Sequence, residues 1–358
     1  MKNIPISLIS RYRNEIYGAA ALWVVGLHAV NLFQIDITFG LSLLKPIEFI
    51  VSQDLAVDVF LILSGMSCYY SYSARPDAGS FFRRRITRIW PALLFTYGIS
   101  WIVLALFGKI APLQSLYNLS LMPFFFEGNA NGAWYFSFIM LMYISFPYIY
   151  ELTFRYNVNI KYVTIKTSIL FSCILLLYWL LHKYALPAFL NIEIGVARIP
   201  VFIIGCYLGY LSKGNHSCSG YLLIVSIPFV FLWAELYYAF VVPHHFWWGR
   251  LFYSLGGGVI SVAVLTSFFY CLEKFTASVG SGLKKACLAI GSCSLELYGS
   301  HLVLFYGMIP LIPALVIGNA IQFLVYLLLS VAYSLICVRV LEPGFLRSVR
   351  VIMHLRIN

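Results

Sequence analysis

The residue types that could do chemistry in this 358-residue chain are few, and most lie where hydrocarbon is expected. His28 falls within GAAALWVVGLHAVNLF (18–33) and Asp58 within LAVDVFLILSGMSCYY (55–70). Arg198 opens ARIPVFIIGCYLGY (197–210), Glu235 ends an apolar run, and Glu296 and His301 share IGSCSLELYGSHLVLFYG (290–307). An ionisable side chain at membrane depth is costly and is a functional hypothesis by default. Two readings fit His28. It is a neutral imidazole binding a neighbouring helix, worth about 1 kcal/mol, or it is a general base or acyl-accepting nucleophile titrating near neutrality. Asp58 needs a partner or a proton. A His28–Asp58 pair across consecutive spans would satisfy both groups and orient the ring as hydrolase triads do.

A second cluster is FFRRRITRIWP (81–91), expected in a cytoplasmic loop at the mouth of a span. Arg85 and Arg88 are three apart, and Arg84 and Arg88 four apart, so all three share a helical face. Guanidinium forks grip phosphate bidentately, so this cluster suits a phosphorylated ligand. A topological stop signal and a patch for anionic lipid are the other readings. His301, with Tyr298 one turn earlier, points to interhelical hydrogen bonding or to a binding role. Arg198 points to an anionic substrate group or to snorkelling at the interface. Ser64 and Gly65 offer a small-residue surface for close helix approach. His244 and His245 have no third ligand at metal spacing, so no metal is expected. The eight cysteines form no CxxC pair and read as small apolar fillers.

The elements that must carry these residues are membrane helices. The chain is 61% hydrophobic and only 10% charged, against about a quarter charged in a soluble domain. Ten stretches are apolar on every face and long enough to cross about 30 Å of hydrocarbon: 16–33, 47–71, 90–108, 132–150, 164–182, 196–211, 220–240, 251–271, 289–309 and 316–338. Barrel strands would alternate polar and apolar instead. Ten spans put both termini on one side. A cytoplasmic N-terminus then places 19 of the 24 Lys and Arg residues inside, leaving Lys45, Lys109, Lys183, Arg198 and Arg250 outside. The net charge of +11 is thus a topology signal, and no nucleic-acid partner is needed to explain it. The expected architecture is an all-α polytopic bundle in one domain, 1–358, embedded in lipid.

Six stretches in order resemble the acyltransferase 3 family of integral membrane acyltransferases, which includes enzymes that O-acetylate bacterial surface polysaccharides. AAALWVVGLHAV resembles the first family helix, whose histidine is regarded as catalytic, and His28 matches it. The family's basic residue eleven positions earlier is Tyr17 here, and the usual acidic residue before that is Asn14; Arg13 or Arg11 could substitute from the preceding turn. VDVFLILSG matches at Asp58, Phe60, Ser64 and Gly65. FFRRRITRIWPALLF matches the arginine motif at Arg85, Arg88 and Pro91, which the family is thought to use on the acyl-CoA donor. NGAWYFSFIMLMYISFP matches at Trp134, Tyr143 and Pro147, with Ile139 where many members carry glutamate. ARIPVFIIGCYLGY and GSCSLELYGSH match at Arg198, Pro200, Gly205, Gly209, Gly291, Ser294, Tyr298 and His301.

The resemblance implies an O-acyltransferase of the bacterial cytoplasmic (inner) membrane. It would move an acetyl group from cytoplasmic acetyl-CoA to a hydroxyl of an envelope or exported glycan, free or lipid-linked. His28 and Asp58 would be catalytic, and Arg84, Arg85 and Arg88 would hold the donor. Arg198, Tyr298 and His301 would meet the acceptor. The extracytoplasmic hydrolase-like domain that some members add at the C-terminus is not expected. A transporter and a non-catalytic scaffold are the competing classes. The sugar, the hydroxyl and the oligomeric state are not written in the sequence.

Overall fold

The computed structural model describes residues 3–33, 54–128, 132–155, 159–237, 246–275, 279–308 and 319–355. Among them the chain is helical almost throughout. A short helix α1 (Ser7–Arg11) leads into α2 (Arg13–Phe33), followed by α3 (Leu55–Ala74) and α4 (Ala78–Leu93). Then come α5 (Ile99–Leu106), α6 (Pro112–Leu119), α7 (Pro123–Glu127), α8 (Trp134–Thr153) and α9 (Ile160–Tyr184). The second half holds α10 (Leu186–Val196), α11 (Ile199–Lys213), α12 (Gly220–Leu236) and α13 (Gly249–Phe275). It ends with α14 (Val279–Gly291), α15 (Ser294–Met308), α16 (Asn319–Ile336) and α17 (Glu342–Leu355). One antiparallel ribbon, β1 (Asn3–Pro5) with β2 (Ser217–Ser219), ties the N-terminus to the turn after α11.

Seven of these helical stretches are long and apolar enough to cross a membrane, and an eighth is formed if α14 and α15 are taken as one broken span. The remaining expected spans, 16–33 and 220–240, coincide with α2 and with the 17-residue α12. The bundle is apolar outside as well as inside. On α9 only 11% of the most apolar window is buried, and Ile165, Ile169, Leu176 and Leu177 face outward. That surface suits lipid and not water, since a helix apolar all round must be surrounded by apolar matter.

Two expectations change. The arginine stretch is not a loop: α4 is capped by Asp77, whose carboxylate accepts the Ser80 amide at 2.9 Å, and runs straight into the span. It passes Pro91 and a π turn at Leu94–Gly98, so that Ala78–Leu106 forms one stretch. Proline removes an amide from the ladder, and the wider π turn takes up the slack. Second, the ninth span (289–309) is not one helix. It breaks at Ser292 and Cys293, where α14 and α15 meet at 76°.

Glycines set the closest approaches. A Cβ on Gly65 of α3 would lie 2.3 Å from the Phe202 carbonyl oxygen, and one on Gly205 of α11 would lie 2.3 Å from that of Ile62. The same holds between α2 and α14, where a Cβ on Gly18 or Gly291 would come within 1.9 Å of a backbone oxygen. These backbone-to-backbone contacts fix the two walls between which the polar residues lie.

Candidate active site

Those walls enclose a cavity of ≈ 490 Å³. Five helices give it a stripe spaced at helical intervals, and a sixth, α14, gives its last residue. α2 contributes Arg13, Asn14 and Tyr17, and α3 contributes Ser71, Ser67, Ser64 and Phe60. α4 brings Arg84, Arg85, Arg88 and Ile89, and α8 brings Tyr143, Ile139 and Tyr135. The break between α14 and α15 supplies Gly291, Ser292, Ser294, Leu295 and Tyr298. The bend thus turns the first turn of α15, the positive end of its dipole, toward the space.

The arginines divide into two kinds. Arg88 is bound by carboxylates: both its terminal nitrogens meet the fully buried Glu296, one of them at 3.1 Å, and Glu342 of α17 lies 3.4 Å away. Arg13, Arg84 and Arg85 have no carboxylate partner among the described residues. Arg13 reaches Ser67 and Arg84 reaches Ser71, each at 3.4 Å. Arg85 lies between the rings of Phe81 and Tyr143, 5.1 and 4.9 Å from their centroids. Its buried Nε makes no hydrogen bond among the described residues. The positive face open to an anion is therefore Arg13, Arg84 and Arg85, with Arg88 neutralised behind them. Of the two basic residues that could substitute for the one missing at Tyr17, Arg13 is the one that lines the cavity. It stands one turn earlier on the same face, whereas Arg11 is engaged by Glu273 outside the cavity.

His28 and Asp58 do not line this cavity, and they do not form the expected pair. Asp58 is fully buried against Arg198, whose Nε lies 2.9 Å from Oδ1. Asp54 takes the other end of the same guanidinium at 2.7 Å, Ile194 accepts from it, and it lies over the Trp134 ring. The physical reason is charge. A guanidinium cannot shed its proton, so a buried one must be met by carboxylate, whereas an imidazole can stay neutral. Arg198 is accordingly buried and engaged, neither snorkelling nor displayed to a cavity.

The half-buried His28 ring instead packs on His301, with centroids 5.2 Å apart. His301 is fully buried, and its Nδ1 lies 2.8 Å from the Leu297 carbonyl. A carbonyl only accepts, so Nδ1 carries the proton and Nε2 is the ring's acceptor nitrogen. Tyr298 joins the two regions. It lines the cavity and touches the His301 ring at 6.1 Å.

The structure thus brings together Arg84, Arg85, Arg88 and Tyr298 around one space and His28 with His301 beside it, and it sets Asp58 and Arg198 apart as a charge pair. Sequence reasoning did not assign Asp54 or Glu342, which lie at helix ends. Nor did it assign the hydroxyl-bearing wall of Tyr17, Ser67, Ser71 and Tyr135. The side chain of Glu235, and His244 and His245, lie outside the described residues. Among the described residues no three His, Cys, Asp or Glu side chains gather as a metal set.

In comparisons with known proteins, no curated protein and no solved structure matches this chain. The family described as an acyltransferase domain matches residues 18–339, nearly the whole length; it includes the cavity-lining residues of α3, α4, α8, α14 and α15, while those of α2, Arg13, Asn14 and Tyr17, precede the matched stretch. The chain belongs to that acyltransferase 3 family, and is a multi-pass membrane acyltransferase.

Proposed function

We propose that the protein transfers an acetyl group from cytoplasmic acetyl-CoA to a hydroxyl of an envelope or exported glycan at the bacterial inner membrane. The observation that carries this reading is the trio Arg13, Arg84 and Arg85, without carboxylate partners, on a cavity whose far wall touches a histidine pair. The residues fit a phosphorylated donor. The orphaned Nε of Arg85 is a buried donor awaiting an acceptor, and charge-assisted hydrogen bonds to phosphate are the strong ones. Serines and tyrosines on the remaining wall suit an amide-bearing arm.

The bound donor supplies an activated thioester. Arg13, Arg84 and Arg85 hold its anionic end, and Tyr298 marks the way from cavity to histidines. A ring nitrogen of His28 takes the proton from the acceptor hydroxyl as its oxygen bonds to the acyl carbon. The carbon–sulfur bond breaks, and the same nitrogen returns the proton to the departing thiolate. His301, held in one tautomer by Leu297, keeps the His28 ring in place. Asp58 acts at a distance, by holding Arg198 and the packing of α3 on α11.

The test is mass spectrometry of surface glycans from a deletion strain complemented with wild type, His28→Ala or Arg85→Ala. Wild type restores acetylated repeats and neither variant does, with both variants present in the membrane at wild-type levels. Full acetylation with His28→Ala would end the proposal.

A further inference from the structure

The cavity ends on a floor of rings. Counting inward from the arginine end, the last lining residue on each of α2, α3, α8 and α15 is aromatic: Tyr17, Phe60, Tyr135 and Tyr298. Adjacent rings are in contact, Tyr17 with Phe60 at 5.6 Å, Phe60 with Tyr135 at 6.2 Å and Tyr135 with Tyr298 at 5.1 Å. The series continues to His301 at 6.1 Å and from there to His28 at 5.2 Å. The floor therefore borders the histidine pair, and Tyr298 is its ring in contact with that pair.

The floor is packed from below as well. Phe60, Tyr135 and Tyr298 are each no more than 5% exposed, and Tyr298 is further flanked by Phe136 at 6.2 Å. Ser64 lines the same space beside Tyr17, Tyr135 and Tyr143. A close-packed set of rings yields little to an added methylene. Its hydroxyls can hold a carbonyl oxygen, but they offer nothing to a hydrocarbon chain.

We propose that Tyr17, Phe60, Tyr135 and Tyr298 form a size filter that sets the length of the transferred acyl group. It admits acetyl and rejects butyryl and longer chains. This rests on the acyl-CoA reading of the cavity and adds the residues that choose among donors. Phe60 is the ring to change first, because it touches both Tyr17 and Tyr135 and carries no polar group.

The experiment measures binding of CoA, acetyl-CoA, butyryl-CoA and hexanoyl-CoA to the full-length protein in lipid nanodiscs. Wild type, Phe60→Ala, Phe60→Leu and Tyr298→Ala are compared. Wild type should bind acetyl-CoA roughly tenfold or more tightly than hexanoyl-CoA, the scale of discrimination that packed apolar pockets reach. Phe60→Ala and Tyr298→Ala should narrow that ratio, with Phe60→Leu in between and serving if the alanine variants fail to fold. Equal wild-type binding of all chain lengths overturns the filter and leaves the donor site standing. An unchanged ratio in folded Phe60 and Tyr298 variants also overturns it. Failure of every CoA species to bind overturns the donor reading itself, and the filter with it.

Discussion

Arg85 and Arg88 sit three residues apart on one helix, yet they face different tasks. Arg88 balances the fully buried Glu296, so Arg88→Ala leaves a carboxylate in the interior without its cation. The expected loss is about 3 kcal/mol of stability, the low end for a broken buried pair because Arg88 also faces the cavity. It should show as a lower unfolding temperature in detergent, partly restored by Arg88→Met with Glu296→Leu. Arg85 has no carboxylate to desert, so Arg85→Ala should unfold as wild type does. It should weaken acetyl-CoA binding roughly ten- to a hundred-fold, the value of about 1.5–3 kcal/mol for hydrogen bonds to a charged group. At this scale the sequence was half legible. Helical spacing put Arg84, Arg85 and Arg88 on one face and marked His28, Asp58, Arg198, Glu296 and His301 as costly. Spacing names a face and not a partner, so Asp58 was matched to the base in the preceding span instead of to Arg198. Part of the signal was present: a guanidinium at membrane depth demands a carboxylate, and the apolar runs offered Asp58, Glu235 and Glu296 for Arg198.

Among elements, the tightest contacts are also the least tolerant. Gly65→Ala puts a methyl into the backbone of α11 and should cost about 1–3 kcal/mol, the usual penalty of overpacking. Since Ser64 moves with it, donor binding should fall along with the unfolding temperature. The start of α4 is sensitive in another way. Hydrogen bonds from Ser80 to Asp77 hold that carboxyl below its ordinary range. A depressed carboxyl contributes stability that is complete above its unfolded value and is lost as pH falls through the folded one. Amide exchange over residues 78–82 should therefore accelerate relative to the rest of α4 once pH drops below about 4, the unperturbed range for Asp. In Asp77→Ala the acceleration should already be present at neutral pH. Hydropathy located α3 and α11, because length and apolarity are local properties, but it read the polar start of α4 as a loop. It could not find the 76° break in 289–309, since Ser292 and Cys293 are tolerated in a span and only packing against α2 reveals the turn.

For the whole molecule, contacts between distant segments group the ends of the helices into two sets. Arg11 meets Glu273, Lys284 meets Glu273, Lys213 meets Ser73 and Asn3 pairs with Ser219, all at one end. Arg250 with Glu193 and Arg198 with Asp54 mark the other. This is the partition that the Lys and Arg bias proposed. Single cysteines in an otherwise cysteine-free background should test its sidedness. Lys161→Cys should react with an impermeant maleimide only after the cells are opened, and Lys183→Cys in intact cells. The reverse pattern would invert the topology. The pairing of α2 with α14 also bears on how the chain is made. The first span synthesised packs backbone to backbone against one of the last, and the Arg11–Glu273 contact spans 262 residues of chain. During insertion α2 must wait in the bilayer, with Arg13 and Glu15 at its end, until the ribosome has delivered the helix that covers it. A chain released after α13 would expose that seam, and quality-control proteases would meet a binding site with one wall missing.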